Sequence, residues 1–227
     1  MGVLDGRIAL ISGAGTGLGK ATAIAYAREG ASVVLLGRRK SKLEETAQEI
    51  GSMTGAGAAA FVYPTDVSST QQVEAAVEAA IRAYGKIDIL VNNAAVFEPG
   101  LVIELSPEEW HHQLSVNLTG PFLLTRAVLP AMRKQRYGRI INITSSLASN
   151  GAGGYAAYSA SKAGLESLTR TVADEENDHG ILANLYNPGT IKSEMHATGR
   201  DASDVTPELI RLASLPAGGQ TGALVSF

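Results

Sequence analysis

Cysteine is absent from the 227-residue sequence, which excludes disulfides, thiolate zinc sites and a cysteine nucleophile. Lysine and arginine form no block of five or six, and the formal net charge is −3, so nothing indicates a nucleic-acid partner. No run approaches the roughly 18 uninterrupted apolar residues of a membrane helix, and the first residues form no apolar signal region. We therefore expect a cytoplasmic protein without a nucleic-acid or membrane partner.

Metal-ligand spacing is also missing from the sequence. The histidines are His111, His112, His179 and His196. None of them has a third ligand at a spacing typical of metal sites, so we expect surface or loop positions for all four and no bound metal. Catalysis is expected to use oxygen and nitrogen groups.

The composition and length favour one globular domain covering residues 1–227. Hydrophobic residues make up 45% and charged residues 18%, which is ordinary usage for a chain with a full core. The length exceeds that of an average domain but is typical of larger α/β domains. We find no linker and no internal repeat, and we interpret the small-residue stretch 55–60 as a loop.

Apolar runs of strand length alternate with longer segments of helical period, which is typical of repeated βαβ units. The expected strands are residues 7–12, 32–36, 58–63, 87–91, 138–144, 181–186 and 224–227. The expected helices are residues 17–28, 41–50, 69–84, 106–117, 158–176 and 207–215, with a break or kink at Pro121. The pattern predicts an α/β single-domain Rossmann fold: a doubly wound, mostly parallel sheet of about seven strands flanked by helices. Ligand-binding loops then follow the carboxyl ends of the strands.

A glycine-rich loop follows the first predicted strand. A Walker loop ending at Lys20 needs glycine at position 14 and serine or threonine at position 21, and both positions hold alanine. The common G-x-G-x-x-G spacing fails as well, but G-x-x-x-G-x-G fits Gly13, Gly17 and Gly19. Such a loop lets the backbone approach a pyrophosphate at a helix N-terminus. The alternative is a strand-to-helix turn without a ligand.

The end of the second predicted strand indicates which dinucleotide is bound. NAD enzymes usually place an acid there, about twenty residues after the glycines, to hold the ribose 2′-hydroxyl. This sequence has Gly37 followed by Arg38 and Arg39, whose guanidinium groups suit a 2′-phosphate. We expect NADP(H) rather than NAD(H), the alternative being a solvated basic turn.

Four polar residues suggest a catalytic set. Tyr158 and Lys162 are four residues apart, which places them on one face of a helix. That pair alone is weak evidence, since it is ordinary on exposed helices. Ser145 stands thirteen residues before Tyr158, directly after a buried strand, and Asn117 lies on the preceding helix. Together the four favour catalysis over separate capping or turn roles.

The glycine spacing and these four side chains resemble the short-chain dehydrogenase/reductase family, and the resemblance covers nearly the whole chain. It implies an NADP(H)-dependent oxidoreductase that interconverts a ketone or aldehyde and an alcohol by hydride transfer. Tyr158 would be the acid/base, and Lys162 would hold the nicotinamide ribose. Ser145 would bind the substrate oxygen, and Asn117 would hold a water that relays protons through Lys162.

Carbonyl reduction explains these residue types. Hydride delivery builds alkoxide character on oxygen, so a proton donor must lie beside that oxygen. A phenol with a free pKa of about 10 is a poor partner near neutrality, and the Lys162 ammonium would favour the phenolate of Tyr158. Ser146 rivals Ser145 and is disfavoured only by its spacing. Tyr155 rivals Tyr158, but position 159 holds serine where its lysine would be.

The same resemblance implies further contacts with the dinucleotide. Asp66 and Val67 match the adenine contact, and Asn93 matches a residue that braces the sheet, although Ala95 replaces the usual glycine of its motif. A Pro-Gly motif follows the sixth strand, and Ser193 is a candidate contact for a diphosphate oxygen. The implied cofactor-binding residues are Gly13, Gly15, Thr16, Gly17, Leu18, Gly19, Arg38, Arg39, Asp66, Val67, Asn93, Tyr158, Lys162, Pro188, Gly189, Thr190 and Ile191.

The substrate is expected to be a small carbonyl compound or alcohol bound under residues 189–215, where residues 191–205 form a short polar lid. Family resemblance also implies a homo-oligomer, either a tetramer or a dimer. Two alternatives stay open: an NAD-dependent alcohol dehydrogenase of the same fold, and a non-catalytic dinucleotide-binding regulator. A sugar-nucleotide epimerase or dehydratase is disfavoured, because the chain after Pro188 has no room for its substrate domain.

Overall fold

A single parallel sheet organises the computed structural model, which describes residues 2–54, 60–194 and 198–227. The strands are β1 (Ile8–Ser12), β2 (Ser32–Gly37), β3 (Ala60–Pro64), β4 (Ile89–Asn92), β5 (Gly138–Ile143), β6 (Ile181–Asn187) and β7 (Leu224–Ser226). Their order is β3-β2-β1-β4-β5-β6-β7, and each neighbouring pair is parallel. The expected Rossmann fold is confirmed, and the sheet is parallel throughout.

Helices cover both faces of the sheet. They are α1 (Gly17–Arg28), α2 (Lys40–Thr54), α3 (Thr70–Tyr84), α4 (Pro107–Leu114), α5 (Gly120–Gln135), α6 (Leu147–Asn150), α7 (Ala156–Glu176) and α8 (Thr206–Ala213). A π-helix (Ser115–Thr119) joins α4 to α5, and short 3-10 helices span Asn177–His179 and Ala202–Val205. Within the described residues, no helix is both long and apolar enough to cross a membrane.

Alternate residues of β1 belong to two separate apolar clusters. Ala9 and Ile11 pack toward α1, α2 and α8, whereas Ile8 and Leu10 pack toward α3, α5 and α7. All five residues of β1 are buried because both faces of the sheet are covered. This explains why the strands appear in the sequence as continuous apolar runs rather than as alternating patterns.

Several element boundaries differ from those that the sequence predicts. The predicted third strand and the predicted loop both include residues 58 and 59, which lie outside the described residues, as do residues 55–57. Ala60, predicted as the end of that loop, is the first residue of β3. Helix α7 begins at Ala156 rather than at Tyr158, so Tyr158 lies in its first turn. That position brings the phenol close to the positive end of the helix dipole.

Ser106 caps α4 through a reciprocal capping box with Glu109, as its sequence suggests.

The chain stays helical at Pro121, which lies in the first turn of α5. Proline cannot donate to the carbonyl four residues earlier, which is that of Asn117, and its ring crowds that carbonyl. The π-helix provides a wider turn at this point, in which the Gly120 amide donates to the Ser115 carbonyl. Asn117 therefore lies in the widened turn.

Candidate active site

One large cavity lies at the carboxyl ends of the strands, where the connections leave β1 and β4 in opposite directions. Its volume is about 970 Å³, within the range typical of small-molecule sites. Of the site residues predicted from the sequence, only Asn117 and Gly19 do not line it. The structure thus brings the glycine loop, the arginines after β2 and the side chains of α7 into one space.

The glycines of this loop are required by backbone conformation or by close packing. Gly13 and Gly17 have φ values of +67° and +54°, which favour glycine. A Cβ on Gly19 would collide with the Gly13 carbonyl oxygen, and one on Gly15 would lie 2.9 Å from the Lys42 Cβ. Gly19 therefore lies behind the loop and allows α1 to approach β1.

This loop forms a cradle that fits a pyrophosphate. Thr16 is the N-cap of α1 but makes no side-chain capping bond, and the first turn holds no acidic residue. The first amides of α1 are therefore left for an anion, whose charge the helix dipole favours. The residues present fit a dinucleotide.

Ser12 ties the loops after β1 and β4 together. Its hydroxyl accepts hydrogen bonds from the amides of Asn93 and Ala94, at 3.0 and 3.1 Å. The Asn93 side chain returns a bond from Nδ2 to the Ser12 carbonyl, at 3.0 Å. Ala95 needs no glycine conformation, since Arg136 alone has a positive φ among the described non-glycine residues. Asn93 thus braces the sheet while it lines the cavity.

The two arginines after β2 differ in their surroundings. Arg39 forms a 2.6 Å ion pair with Glu194, which follows β6, and also donates to the Thr16 hydroxyl at 3.4 Å. Arg38 is exposed and forms no ion pair within the described part of the chain. An anion entering this end of the cavity would meet Arg38 without having to displace a carboxylate.

Asp66 lies near Arg38 and lines the cavity. Its carboxylate accepts bonds from the Ser68 amide and hydroxyl, at 2.9 and 2.7 Å. Burial acts to raise the pKa of Asp66, but the Ser68 bonds and the Arg38 charge outweigh it and lower that pKa. Asp66 is therefore both a turn former and an ionised group at the cavity wall.

Helix α7 carries Tyr158 and Lys162 into the cavity beside Ser145. The Ser145 hydroxyl is near enough to the Tyr158 phenol to act on its pKa. Lys162 is buried and donates from Nζ to the Ile143 carbonyl at 2.8 Å, and Nζ lies 5.6 Å from the centre of the Tyr158 ring. The rival Ser146 is exposed at the start of α6.

Burial dominates the acid–base behaviour of this cluster. Burial raises the pKa of Tyr158, and the Ser145 hydrogen bond lowers it by less. Burial also lowers the pKa of Lys162 to about 8. The spacing of Tyr158 and Lys162 predicts that the lysine charge favours the phenolate, but desolvation favours the phenol in this structure. A phenol that keeps its proton near neutrality is a suitable proton donor.

Asn117 does not line the cavity, but its side chain binds the backbone of Val96, which does. Its Oδ1 accepts from the Val96 amide at 2.8 Å, and its Nδ2 donates to the Val96 carbonyl at 2.9 Å and to the Ser161 hydroxyl at 3.2 Å. Both side-chain donors are engaged, so the side chain fixes the loop after β4. Any water bound by Asn117 would have to use its remaining acceptor capacity or its main chain.

The segment after β6 closes one side of the cavity. Pro188, Gly189, Thr190 and Ile191 line it, and the Thr190 carbonyl accepts from the Arg200 amide at 3.0 Å. Residues 195–197 of the predicted lid lie outside the described residues, and so does His196. Among the side chains that are described, no three histidine, aspartate or glutamate residues are grouped to hold a metal.

Sequence reasoning missed several residues of the site. Phe97 follows β4 by five positions, and the rule that ligand loops follow parallel strands would have indicated it. Lys42 lies on α2 and faces the glycine loop. No sequence pattern indicates Glu194, because its ion-pair partner Arg39 lies 155 positions away in the sequence. Ser12 was visible only as the last residue of a strand.

Comparison with known proteins identifies relatives of the whole chain. The sequence model of the family described as short chain dehydrogenase matches residues 7–204. A 3-oxoacyl-[acyl-carrier-protein] reductase of Thermotoga maritima is 37% identical over 192 residues, which cover 85% of this chain and 77% of that protein. The corresponding reductase of Escherichia coli is 38% identical, over 96% of this chain and 86% of its own.

Solved structures share the whole fold. Levodione reductase superposes with a TM-score of 0.93 at 29% identity, over 99% of this chain and 96% of its own. A metagenomic short-chain oxidoreductase in complex with NADP gives a TM-score of 0.89 at 34% identity, over 99% of this chain and 98% of its own.

Proposed function

Since the chain belongs to the short-chain dehydrogenase family of oxidoreductases, we propose that it interconverts a ketone or aldehyde and an alcohol with NADP(H). One observation supports this most directly: a single cavity contains both the glycine cradle and the cluster of Tyr158, Ser145 and Lys162. A regulator that only bound a dinucleotide would need the cradle but not the cluster.

The described residues fit an extended dinucleotide along the cavity. In this proposal Gly13, Gly15, Thr16, Gly17 and Leu18 hold the pyrophosphate at the start of α1, with Gly19 allowing the close approach. Arg38 binds the 2′-phosphate, with Arg39 secondary. Asp66 and Val67 lie at the adenine. Asn93 and Lys162 hold the region of the nicotinamide ribose. After the turn at Pro188 and Gly189, Thr190 and Ile191 contact the carboxamide.

Tyr158 on α7 provides the proton for the reaction. When bound, the reduced nicotinamide supplies a hydride to the carbonyl carbon. As negative charge develops on the carbonyl oxygen, Tyr158 donates its proton to that oxygen. Ser145, which lines the cavity beside Tyr158, donates a hydrogen bond to the same oxygen. Asn117 is a positioning residue, because its side chain fixes the loop after β4.

We propose that residues 189–215 form the substrate loop. The molecule that binds in the cavity is a small neutral compound rather than a macromolecule.

We also propose, from the family to which the chain belongs, that the protein is cytoplasmic and forms a homo-oligomer, either a tetramer or a dimer. Light scattering coupled to size exclusion tests the assembly, and a monomer at micromolar concentration would contradict it.

Replacing Arg38 with alanine is expected to lower kcat/KM for NADPH while NADH use changes little. A hydrogen bond to a charged group contributes about 1.5–3 kcal/mol, so the loss should be roughly ten- to a hundredfold, and less at high salt. The measurement is kcat/KM for both cofactors in the native and Arg38→Ala proteins, at low and physiological ionic strength. Equal use of both cofactors by the native protein, or a loss shared by both, would refute the cofactor assignment.

Glu194→Gln complements the Arg38→Ala experiment, because it releases the second arginine, Arg39, from its ion pair. The native ion pair holds Arg39 toward Glu194, and its loss leaves Arg39 able to turn to a 2′-phosphate. Exposed pairs contribute about 0–1 kcal/mol, so NADPH preference should rise by no more than about fivefold. A drop in NADPH preference would mean that Glu194 orients Arg39 for the phosphate instead of competing with it.

A further inference from the structure

Aromatic side chains line the cavity beside Tyr158. Phe97 stacks on Tyr155 with ring centres 4.9 Å apart and planes at 15°. Phe97 also meets the Tyr158 ring edge to face, with centres 5.5 Å apart and planes at 77°. All three rings line the same cavity as Ser145. A flat aromatic wall therefore adjoins the group that we propose as the proton donor.

The backbone holds this wall in place. The Gly100 amide donates to the Gly154 carbonyl at 3.0 Å, and Gly100 forms an isolated parallel bridge with Tyr155. Val96, which precedes Phe97, is fixed by two hydrogen bonds with the Asn117 side chain: the Val96 amide donates to Oδ1, and its carbonyl accepts from Nδ2. The loops that carry Phe97 and Tyr155 are tied to each other and to the core, so the wall is preorganised for a ligand.

The rings of Phe97 and Tyr155 carry no charge, and the charged lining residue beside Tyr158 is Lys162. Among the described lining residues of the cavity, the charged ones at the cofactor end are Arg38, Arg39, Lys42, Asp66 and Glu194. Lys162 is buried against Ile143. Val96, Leu147 and Ala152 are apolar lining residues of the same cavity. An anionic substrate would lose hydration against the rings of Phe97 and Tyr155 without gaining a partner, which disfavours its binding.

We propose, resting on the reductase function above, that the substrate is a neutral aryl ketone or aldehyde. Its ring lies against Phe97 and Tyr155 while its carbonyl oxygen meets Tyr158 and Ser145. Aromatic pairs contribute about 0.5–1.5 kcal/mol beyond their buried area, which corresponds to roughly two- to tenfold in kcat/KM. Phe97 is then a specificity-determining residue, which does not itself transfer a proton.

The test compares ketones of matched size in the native protein with NADPH. Acetophenone and cyclohexyl methyl ketone differ in the flatness of the ring, and 4-acetylbenzoate adds a carboxylate to the aryl ring. Acetophenone is expected to exceed the saturated ketone several-fold in kcat/KM, and the carboxylate is expected to be the poorest of the three. A 3-oxoacyl thioester serves as the rival probe, because curated relatives are named for that class.

Three variants separate the ring contact from general damage. Phe97→Leu should bring the ratio of acetophenone to cyclohexyl methyl ketone close to one, whereas Phe97→Tyr should keep it. Phe122→Leu is the control, since Phe122 is 44% exposed on α5 and does not line the cavity. It should leave the ratio unchanged.

The outcomes distinguish this inference from the function on which it rests. Turnover without an aryl preference, or a thioester used better than acetophenone, overturns the aryl assignment and leaves the reductase in place. An aryl preference that survives in Phe97→Leu also overturns it, because the ring contact would then lie elsewhere. Failure to reduce any of the four probes overturns the reductase proposal and this inference with it.

Discussion

Replacing Tyr158 with phenylalanine should lower kcat by at least about a hundredfold, the usual contribution of a general acid, while the Kd for NADPH changes little. The variant keeps the ring that packs on Phe97 and loses only the phenolic hydroxyl. The measurements are steady-state turnover with a ketone and NADPH titration of the free protein.

Tyr155→Phe is the matched control for this experiment. Tyr155 also lines the cavity, but position 159 holds serine in place of a lysine, and the ring is stacked on Phe97. Turnover should survive in that variant. If Tyr158→Phe kept native turnover, or if Tyr155→Phe lost it instead, the proton donor would have been assigned to the wrong tyrosine.

Lys162→Met should lower kcat by about the hundredfold typical of acid–base groups and should also weaken NADPH binding. Methionine keeps an apolar side chain at this buried position but lacks the ammonium that donates to the Ile143 carbonyl. Kd and kcat are measured on the same preparation, with the melting temperature as a check on folding. An unchanged Kd would show that Lys162 does not hold the ribose.

The pH dependence follows from the same lysine. Burial lowers the pKa of Lys162 to about 8, so the side chain is charged below that pH and neutral above it. Because kcat/KM reports the free enzyme, kcat/KM for NADPH should fall as pH rises through this value. In Lys162→Met that decline should disappear. A native profile that stayed flat between pH 7 and 9, or a decline that persisted in the variant, would show that this charge is not required.

Local features of the sequence were enough to predict the sheet and the cradle. The helix α3 has a capping serine and a terminal glycine, and both function in the structure as expected. Gly13 and Gly17 adopt the backbone conformation that makes glycine necessary. Buried strands are recognisable in the sequence as continuous apolar runs between turns, because both faces of each strand are buried.

Features that depend on distant partners were beyond the sequence. The Arg39–Glu194 ion pair and the Phe97–Tyr155 stack join separate loops, which only the folded sheet brings together. The raised pKa of Tyr158 arises from burial, and no spacing of residues reveals how much solvent a side chain loses. The sequence indicates a break or kink at Pro121, but not the π-helix around Asn117 that continues the chain there.

Transfer of deuterium tests the central claim most directly. The native protein is incubated with a ketone and NADPH deuterated at the transferable position of the nicotinamide, and the alcohol is analysed by mass spectrometry. We expect the deuterium to appear on the carbinol carbon, and the Tyr158→Phe protein to form this product at least about a hundredfold more slowly. Tight binding of NADPH with no deuterated alcohol from any ketone or aldehyde would contradict it and identify a protein that binds the dinucleotide without catalysis.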